Sequence, residues 1–346
     1  MISADLKFWG PTLLATALLA NLLGRAMIAY NIEDIPSDRS SHSVPTPRGA
    51  GAGIVIAFFA FCFFVIAWRG LAGAAADTLI LAGLALLLNA FTGAIDDVRG
   101  LAARTRLIVQ VLAAAMVIEG GISITRVSLP IEGEVYLGVS GVVLSLFWLV
   151  GYTNAYNFMD GMNGLAGITA VIIAATLAVV SWQPAPPLAI LAAGLAAALV
   201  GFIPLNYPQA RIFLGDVGSQ FIGLLLAIFA LLAHEWGNLS LWAIPILFFC
   251  HLFDTGLTLL RRLARGENLF KAHREHLFQL LQRSGLSHAG VTGLYVLCTL
   301  LQGVCVVLLE GASAEAHLTV LGGFILLGTV YAVWVHRRFA RLGEAE

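Results

Sequence analysis

Charged side chains are scarce in this chain. They make up 11% of its 346 residues, while hydrophobic ones make up 59%. A soluble domain carries roughly 25% charged residues, so this chain cannot clothe a water-facing surface of its size. A mean hydropathy of +0.90 agrees. Cysteine is also sparse. The four thiols, Cys62, Cys250, Cys298 and Cys305, lie singly in apolar runs, which excludes a disulfide framework and a CxxC redox or metal pair. A net charge of -1 gives no footprint for nucleic acid. No internal repeat or low-complexity linker interrupts residues 1–346, so one domain is expected. Only Lys7 precedes the first apolar run, without a short apolar region and cleavage site, and that run reads as a retained span.

A membrane-crossing helix needs about 20 mostly apolar residues. Eleven runs qualify: 8–30, 50–68, 78–95, 106–121, 139–156, 164–181, 187–204, 217–234, 241–262, 289–310 and 317–336. The expected fold class is therefore all-α, a polytopic membrane protein of about eleven spans. Alternating the loops places sixteen of the nineteen Lys and Arg residues on one side, leaving Lys7, Arg69 and Arg126 on the other. By the positive-inside rule the rich side is cytoplasmic. Trp68, Trp182, Trp236 and Trp242 fall near outer span ends. In the outer loop 122–138, Ile122, Ile124, Val127 and Leu129 roughly alternate with polar residues around a Glu132-Gly133 turn, room for a short periplasmic β-hairpin.

Five of the nine aspartates gather on the basic side: Asp96, Asp97, Asp160, Asp216 and Asp254. Asp96, Asp97 and Asp160 fall at helix C-termini, where the macrodipole disfavours an acid unless a cation offsets it. Isolated acids there are ordinarily solvated; several together point to a metal or a cationic substrate group. Asn154, Asn157 and Asp160 recur every three residues, so the asparagines share a helix face that either lines a wet cavity or hydrogen-bonds to a neighbouring helix. Asp216 opens the eighth span, as an N-cap or as a metal carboxylate with Gly215 and Gly218 allowing close backbone approach. Asp254 lies seven residues inside the ninth span, and a structural tie to Arg261 is its first reading. His251 reads as a buried structural histidine.

The cations are placed just as unevenly. Pro45 and Pro47 stiffen SDRSSHSVPTPRGAGAG, and Gly49, Gly51 and Gly53 leave its end unobstructed. Arg39, His42 and Arg48 can meet phosphate oxygens there. Residues 272–284 have the pattern of a surface helix, with Leu277, Leu280 and Leu281 on one face and Gly285 as the stop. On that helix His273 and His276 would share a face, near Lys271 and Arg274, either as part of an amphipathic membrane-surface helix or as a phosphate or metal site.

These segments together resemble the polyprenyl-phosphate N-acetylhexosamine-1-phosphate transferases, glycosyltransferase family 4. The matching runs follow the family order: DRSSHSVPTPRGAG at 38–51, AIDDVRGLAARTRL at 94–107, NAYNFMDGMNGLAG at 154–167, FLGDVGS at 213–219, and DTGLTLLRRL with NLFKAHREHLFQLL within 254–281. HREHLFQ is similar to the subgroup that initiates O-antigen or related surface glycans; the muramyl-pentapeptide enzyme has three consecutive histidines there. Two departures stand out. Asn163 replaces a frequent acid, and Ala50 and Ala52 interrupt the glycines after PTPR.

The resemblance implies transfer of N-acetylhexosamine-1-phosphate, or a deoxy relative, from a UDP-sugar to undecaprenyl phosphate, with UMP released at the cytoplasmic face of a bacterial inner membrane. It implies Mg²⁺, with Mn²⁺ as a substitute, on Asp216. Asp96 or Asp97 would take a proton or hold the metal, and adjacent acids titrate jointly. His273 and His276 would join them in catalysis. His42, Arg48, Asn154, Asn157, Asp160 and Arg274 would bind substrate. Partners would be the UDP-N-acetylhexosamine, undecaprenyl phosphate and the lipid bilayer, with no nucleic acid; a homodimer is compatible. The rival class is an ion- or proton-coupled transporter, which would place its polar residues at mid-membrane in broken helices. A phospholipid-type alcohol phosphotransferase would need DxxDGxxAR, which is absent.

Overall fold

The structure, a computed structural model, describes residues 2–30, 32–35, 44–69, 74–269, 271 and 273–343. His42 and Arg39 lie outside them. In lipid every backbone amide must be satisfied within its own segment, which drives apolar runs into helix. The chain runs α1 (Ile2–Tyr30), β1 (Glu33–Asp34), β2 (Thr46–Pro47), α2 (Gly51–Arg69), α3 (Ala74–Arg99), α4 (Ala103–Glu119), β3 (Arg126–Leu129) and β4 (Gly133–Tyr136). It continues through α5 (Val139–Met159), α6 (Leu165–Val180), α7 (Pro186–Asn206), α8 (Gly215–Glu235), α9 (Ala243–Leu247), α10 (Phe249–Ala264), α11 (Leu277–Arg283), α12 (His288–Leu308) and α13 (Ala314–Gly343). The protein is an all-α, multi-pass membrane protein.

Eight helices among the described residues are long and apolar enough to cross a bilayer: α1, α2, α3, α5, α7, α8, α12 and α13. The other three expected spans are helical but different in kind. Helix α4 has 17 residues and carries Arg104, Arg106 and Glu119. Helix α6 has 16 residues. The expected span 241–262 is broken at Phe248 into α9 and α10. A hydropathy run measures apolar length and cannot register where the helix axis breaks.

Helix α8 is the axis of the fold. Its whole spanning window is buried inside the protein, and it packs against α2, α3, α5, α6 and α7. Glycine sets the closeness of two of these contacts. A Cβ on Gly51 of α2 would stand 2.2 Å from the Gly218 Cα, and one on Gly93 of α3 would stand 2.3 Å from the Asp216 backbone oxygen. Gly218 thus admits a neighbouring helix, not a ligand, and Gly51 is packed rather than unobstructed.

The expected hairpin is present. β3 and β4 pair antiparallel, with Leu129 opposite Gly133. Gly133 takes the turn with φ +72, a conformation that suits glycine. Ile122, Ile124 and Val127 are buried beneath it.

The HREH segment departs from expectation. Helix α11 starts only at Leu277, and His273 and His276 lie in the non-helical approach to it. Nor is α11 a membrane-surface helix. Leu277, Phe278, Leu280 and Leu281 are all buried, in a second apolar cluster with Met159, Met162, Leu165, Val291, Tyr295 and Val335. Burial contributes about 1.5–3 kcal/mol per such side chain, which outweighs the modest preference of the flanking charges for a longer surface helix.

Candidate active site

The C-terminal end of α3, the end of α5 and the N-terminus of α8 meet at one open cleft of ≈ 560 Å³. The run 47–51, which leads from β2 into α2, is laced to 213–214 on its rim through a single bridge between Arg48 and Phe213. Phe213 N–H donates to the Pro47 carbonyl at 2.8 Å, and Gly51 N–H to the Leu214 carbonyl at 2.8 Å. Two sequence segments far apart in the chain therefore become one wall, and Arg48 is delivered to it.

Asp96, Asp97, Asp160 and Asp216 all line the cleft, with Arg48, Arg106, Asn157 and Ser219. Asp97 accepts the backbone N–H groups of Asp216 at 2.9 Å and Val217 at 3.1 Å. It therefore caps α8 from another helix, complementing the positive end of the helix dipole. Arg48 donates to the Asp97 backbone oxygen and lies 3.8 Å from its carboxylate. Asp96 accepts from Leu101 N–H at 2.5 Å and from Arg106 Nη1 at 2.9 Å. The same Arg106 nitrogen lies 3.9 Å from Asp216. Asn157 Nδ2 donates to Asp216 Oδ1 at 2.6 Å and to Ser219 Oγ at 2.7 Å.

Acids outnumber cations here, and Asp160 registers the excess. Burial first, then the charges of Asp216, Asp97 and Asp34, push its carboxyl well above the usual range. A divalent cation would relieve that crowding. No three His, Cys, Asp or Glu side chains among the described residues converge as a ready metal cage. Mg²⁺ does not require one: it is usually held by one or two carboxylates plus water and substrate phosphates. The carboxylate-rich wall around Asp216 fits that ion.

Other expected residues stand elsewhere. Asn154, one turn deeper than Asn157, donates to Gln110 Oε1 at 2.6 Å and ties α5 to α4; it does not line the cleft. Nor do His273, Arg274 or His276. The His273 and His276 rings do meet, 4.9 Å apart, and the His276 ring lies 5.5 Å from Phe158, which is a cleft residue. Burial first, then His276 and Arg262, lowers His273 to about 4, so it is neutral at pH 7. Asp254 is not tied to Arg261, which contacts His336; its partners are His276, Leu277, Phe278 and Tyr295.

Six polar cleft residues were not among the expected ones: Asp34, Arg106, Asn206, Ser219, Gln279 and His288. Arg106 had a usable signal, since it falls one helical turn before Gln110 on a short helix that follows the aspartate pair. Asp34, Gln279 and His288 had none, because their neighbours across the cleft are remote in sequence.

Residues 78–234 match the model of glycosyl transferase family 4. A decaprenyl-phosphate N-acetylglucosaminephosphotransferase of Mycobacterium tuberculosis is 31% identical over 304 residues, 79% of this chain and 73% of the relative. The chain belongs to glycosyl transferase family 4. Within that family it is 29% identical over 320 residues to a probable undecaprenyl-phosphate N-acetylglucosaminyl 1-phosphate transferase of Bacillus subtilis, covering 91% of this chain and 87% of the relative. A phospho-N-acetylmuramoyl-pentapeptide-transferase of Streptococcus pneumoniae is 28% identical over 272 residues, 75% of this chain and 79% of that one. The family match contains three walls of the cleft: Asp96–Asp97, Asn157–Asp160 and Asp216.

Proposed function

We propose that this family 4 protein transfers N-acetylhexosamine-1-phosphate from a UDP-sugar to a polyprenyl phosphate, undecaprenyl phosphate in particular, and so initiates a lipid-linked surface glycan of the O-antigen type. The observation that carries the reading is the single cleft at the end of α3, α5 and α8, where four aspartates face Arg48 and Arg106. Acceptor and donor phosphates repel one another, and phosphoryl transfer is catalysed mostly by positioning and charge neutralisation. The sixteen cations that loop alternation in the sequence assigns to the same side as Asp96, Asp97, Asp160 and Asp216 support a cytoplasmic site in an inner membrane.

An oxygen of the acceptor phosphate attacks the phosphorus that bears the sugar. The bond from that phosphorus to the bridging diphosphate oxygen breaks, and its electron pair leaves with UMP. Arg48 and Arg106 stabilise the charge spread over the phosphoryl oxygens. Asp97 holds the N-terminus of α8 in place, and Asn157 orients Asp216. The pair Asp96 and Asp97 takes up a proton from the acceptor where one is present. Mg²⁺ bound at Asp216 would supply further neutralisation of the diphosphate. One diphosphate linkage replaces another, so no separate energy source is needed.

The purified protein, given UDP-N-acetylglucosamine, undecaprenyl phosphate and Mg²⁺, should release UMP and give a lipid diphosphate sugar with the donor's anomeric configuration. Release of UDP with a single phosphate on the lipid would overturn this reading.

A further inference from the structure

Asp254 is buried in α10, 1% exposed, and four donors converge on its two oxygens. Leu277 N–H donates to Oδ1 at 2.8 Å, Phe278 N–H to Oδ2 at 3.1 Å, and Tyr295 O–H to Oδ2 at 2.5 Å. His276 Nδ1 lies 3.2 Å from Oδ1. An ionised carboxylate only accepts, so Nδ1 must carry the proton in this contact. In the neutral ring the other nitrogen, Nε2, is then a bare acceptor. His276 is 3% exposed, and its Nε2 has no hydrogen-bond partner. A buried polar atom left without a partner costs free energy and calls for an explanation. It sits on the ring edge away from Asp254, in a ring packed against Phe158 of the cleft wall. From the same turn, the His276 backbone N–H donates to Gln279 Oε1 at 3.3 Å, and Gln279 lines the cleft.

We infer that Asp254 is a positioning residue for the transfer reaction: it fixes His276 in the Nδ1-protonated tautomer behind Phe158 of the cleft wall and fixes the start of α11, so that Gln279 is held in the cleft. The inference rests on the proposed reaction. It gives the break after Phe248 a role, since α10 carries Asp254 under the histidine segment. Asp254 does not touch substrate; it acts through His276. Asparagine in its place offers an NH₂ group to His276, which reverses the tautomer and leaves a backbone N–H unpaired.

A double-mutant cycle separates this from simple scaffolding, because a residue acting through another shows strongly non-additive effects. UMP release is measured for wild type, Asp254→Asn, His276→Gln and the double variant, with kcat, KM and the pH profile of kcat for each. Asp254→Asn is expected to lower kcat about 10- to 100-fold, the usual cost of losing a group that orients a functional histidine, and to move the pH profile. In the His276→Gln background the same change should cost less than about threefold. Equal losses in both backgrounds, or a lower Tm with unchanged kcat, would overturn the inference. If Asp254→Asn does not fold, Tyr295→Phe removes one donor while keeping the ring, and the cycle of Tyr295→Phe with His276→Gln is read the same way. A wild type that releases no UMP overturns the reaction and this inference together. An active wild type with additive losses overturns this inference alone.

Discussion

Asp97 and Asp216 are joined through the backbone: the Asp97 carboxylate receives the N–H of Asp216 at 2.9 Å and that of Val217 at 3.1 Å. One acid of the cleft therefore places another. Losing an N-cap costs about 1 kcal/mol, so Asp97→Ala should lower both stability and turnover. Asp97→Asn keeps one acceptor and should lose turnover with a smaller drop in Tm. Thermal melts paired with UMP release check this, and near-wild-type rates in both variants would show that the cap is dispensable.

Gly93 is the tightest point between α3 and α8 at the site. A methyl group there would press on the Asp216 carbonyl at 2.3 Å, a backbone atom that cannot swing aside. Overpacking of this kind costs about 1–3 kcal/mol. Gly93→Ala is expected to reduce Tm and, by displacing Asp216, to reduce kcat in protein that remains folded. Gly256 has open space around it, and Gly256→Ala serves as the comparison, with Tm at or above wild type.

Arg106 stands between Asp96 at 2.9 Å and Asp216 at 3.9 Å. Arg106→Gln should lower kcat by one to two orders of magnitude, about 1.4–2.8 kcal/mol of transition-state stabilisation. It should also tighten apparent Mg²⁺ affinity, because a competing cation has left the carboxylates. A Mg²⁺ titration of UMP release reads both quantities. A higher Mg²⁺ concentration for half-maximal rate in the variant would contradict this account of the site.

Asn154 and Asn157 differ by one turn and should differ in effect. Asn154 bonds to Gln110 and ties α4 to α5; Asn157 holds Asp216. Asn154→Ala is expected to lower stability by about 1 kcal/mol with KM for the UDP-sugar within about twofold of wild type. Asn157→Ala should lower kcat. Steady-state kinetics on both variants decide it.

His273 is lowered to about 4 by burial, with His276 and Arg262 adding to the effect. A histidine whose folded value is depressed contributes stability above its ordinary value of about 6.5 that is lost as pH falls toward the folded value. Wild type should therefore lose Tm more steeply than His273→Gln between pH 6.5 and about 4. Parallel curves for the two proteins would remove His273 from the acid response.

The sequence by itself determined that the chain is a many-helix membrane protein, because apolar length and charge asymmetry are local properties that a bilayer reads directly. It also grouped five aspartates on one side, of which the fold brings Asp96, Asp97, Asp160 and Asp216 to one cleft and leaves Asp254 outside it, and the hairpin of β3 and β4 followed from alternation and a glycine turn. Only the tertiary structure decided what each group does there. Asp97 is an N-cap for a helix 119 residues away in sequence, which no local pattern encodes. Asn154 and Asn157 share a helical face, yet α4 meets one and α8 the other. Asp254 faces His276 instead of Arg261 because the start of α11 packs on α10 and turns the Leu277 and Phe278 N–H groups onto its carboxylate, a contact between separate segments that no local pattern encodes. The histidines at 273 and 276 left the expected helix because α11 buries its four apolar side chains, a gain fixed by the surfaces of α5, α12 and α13 and not by the segment's own periodicity.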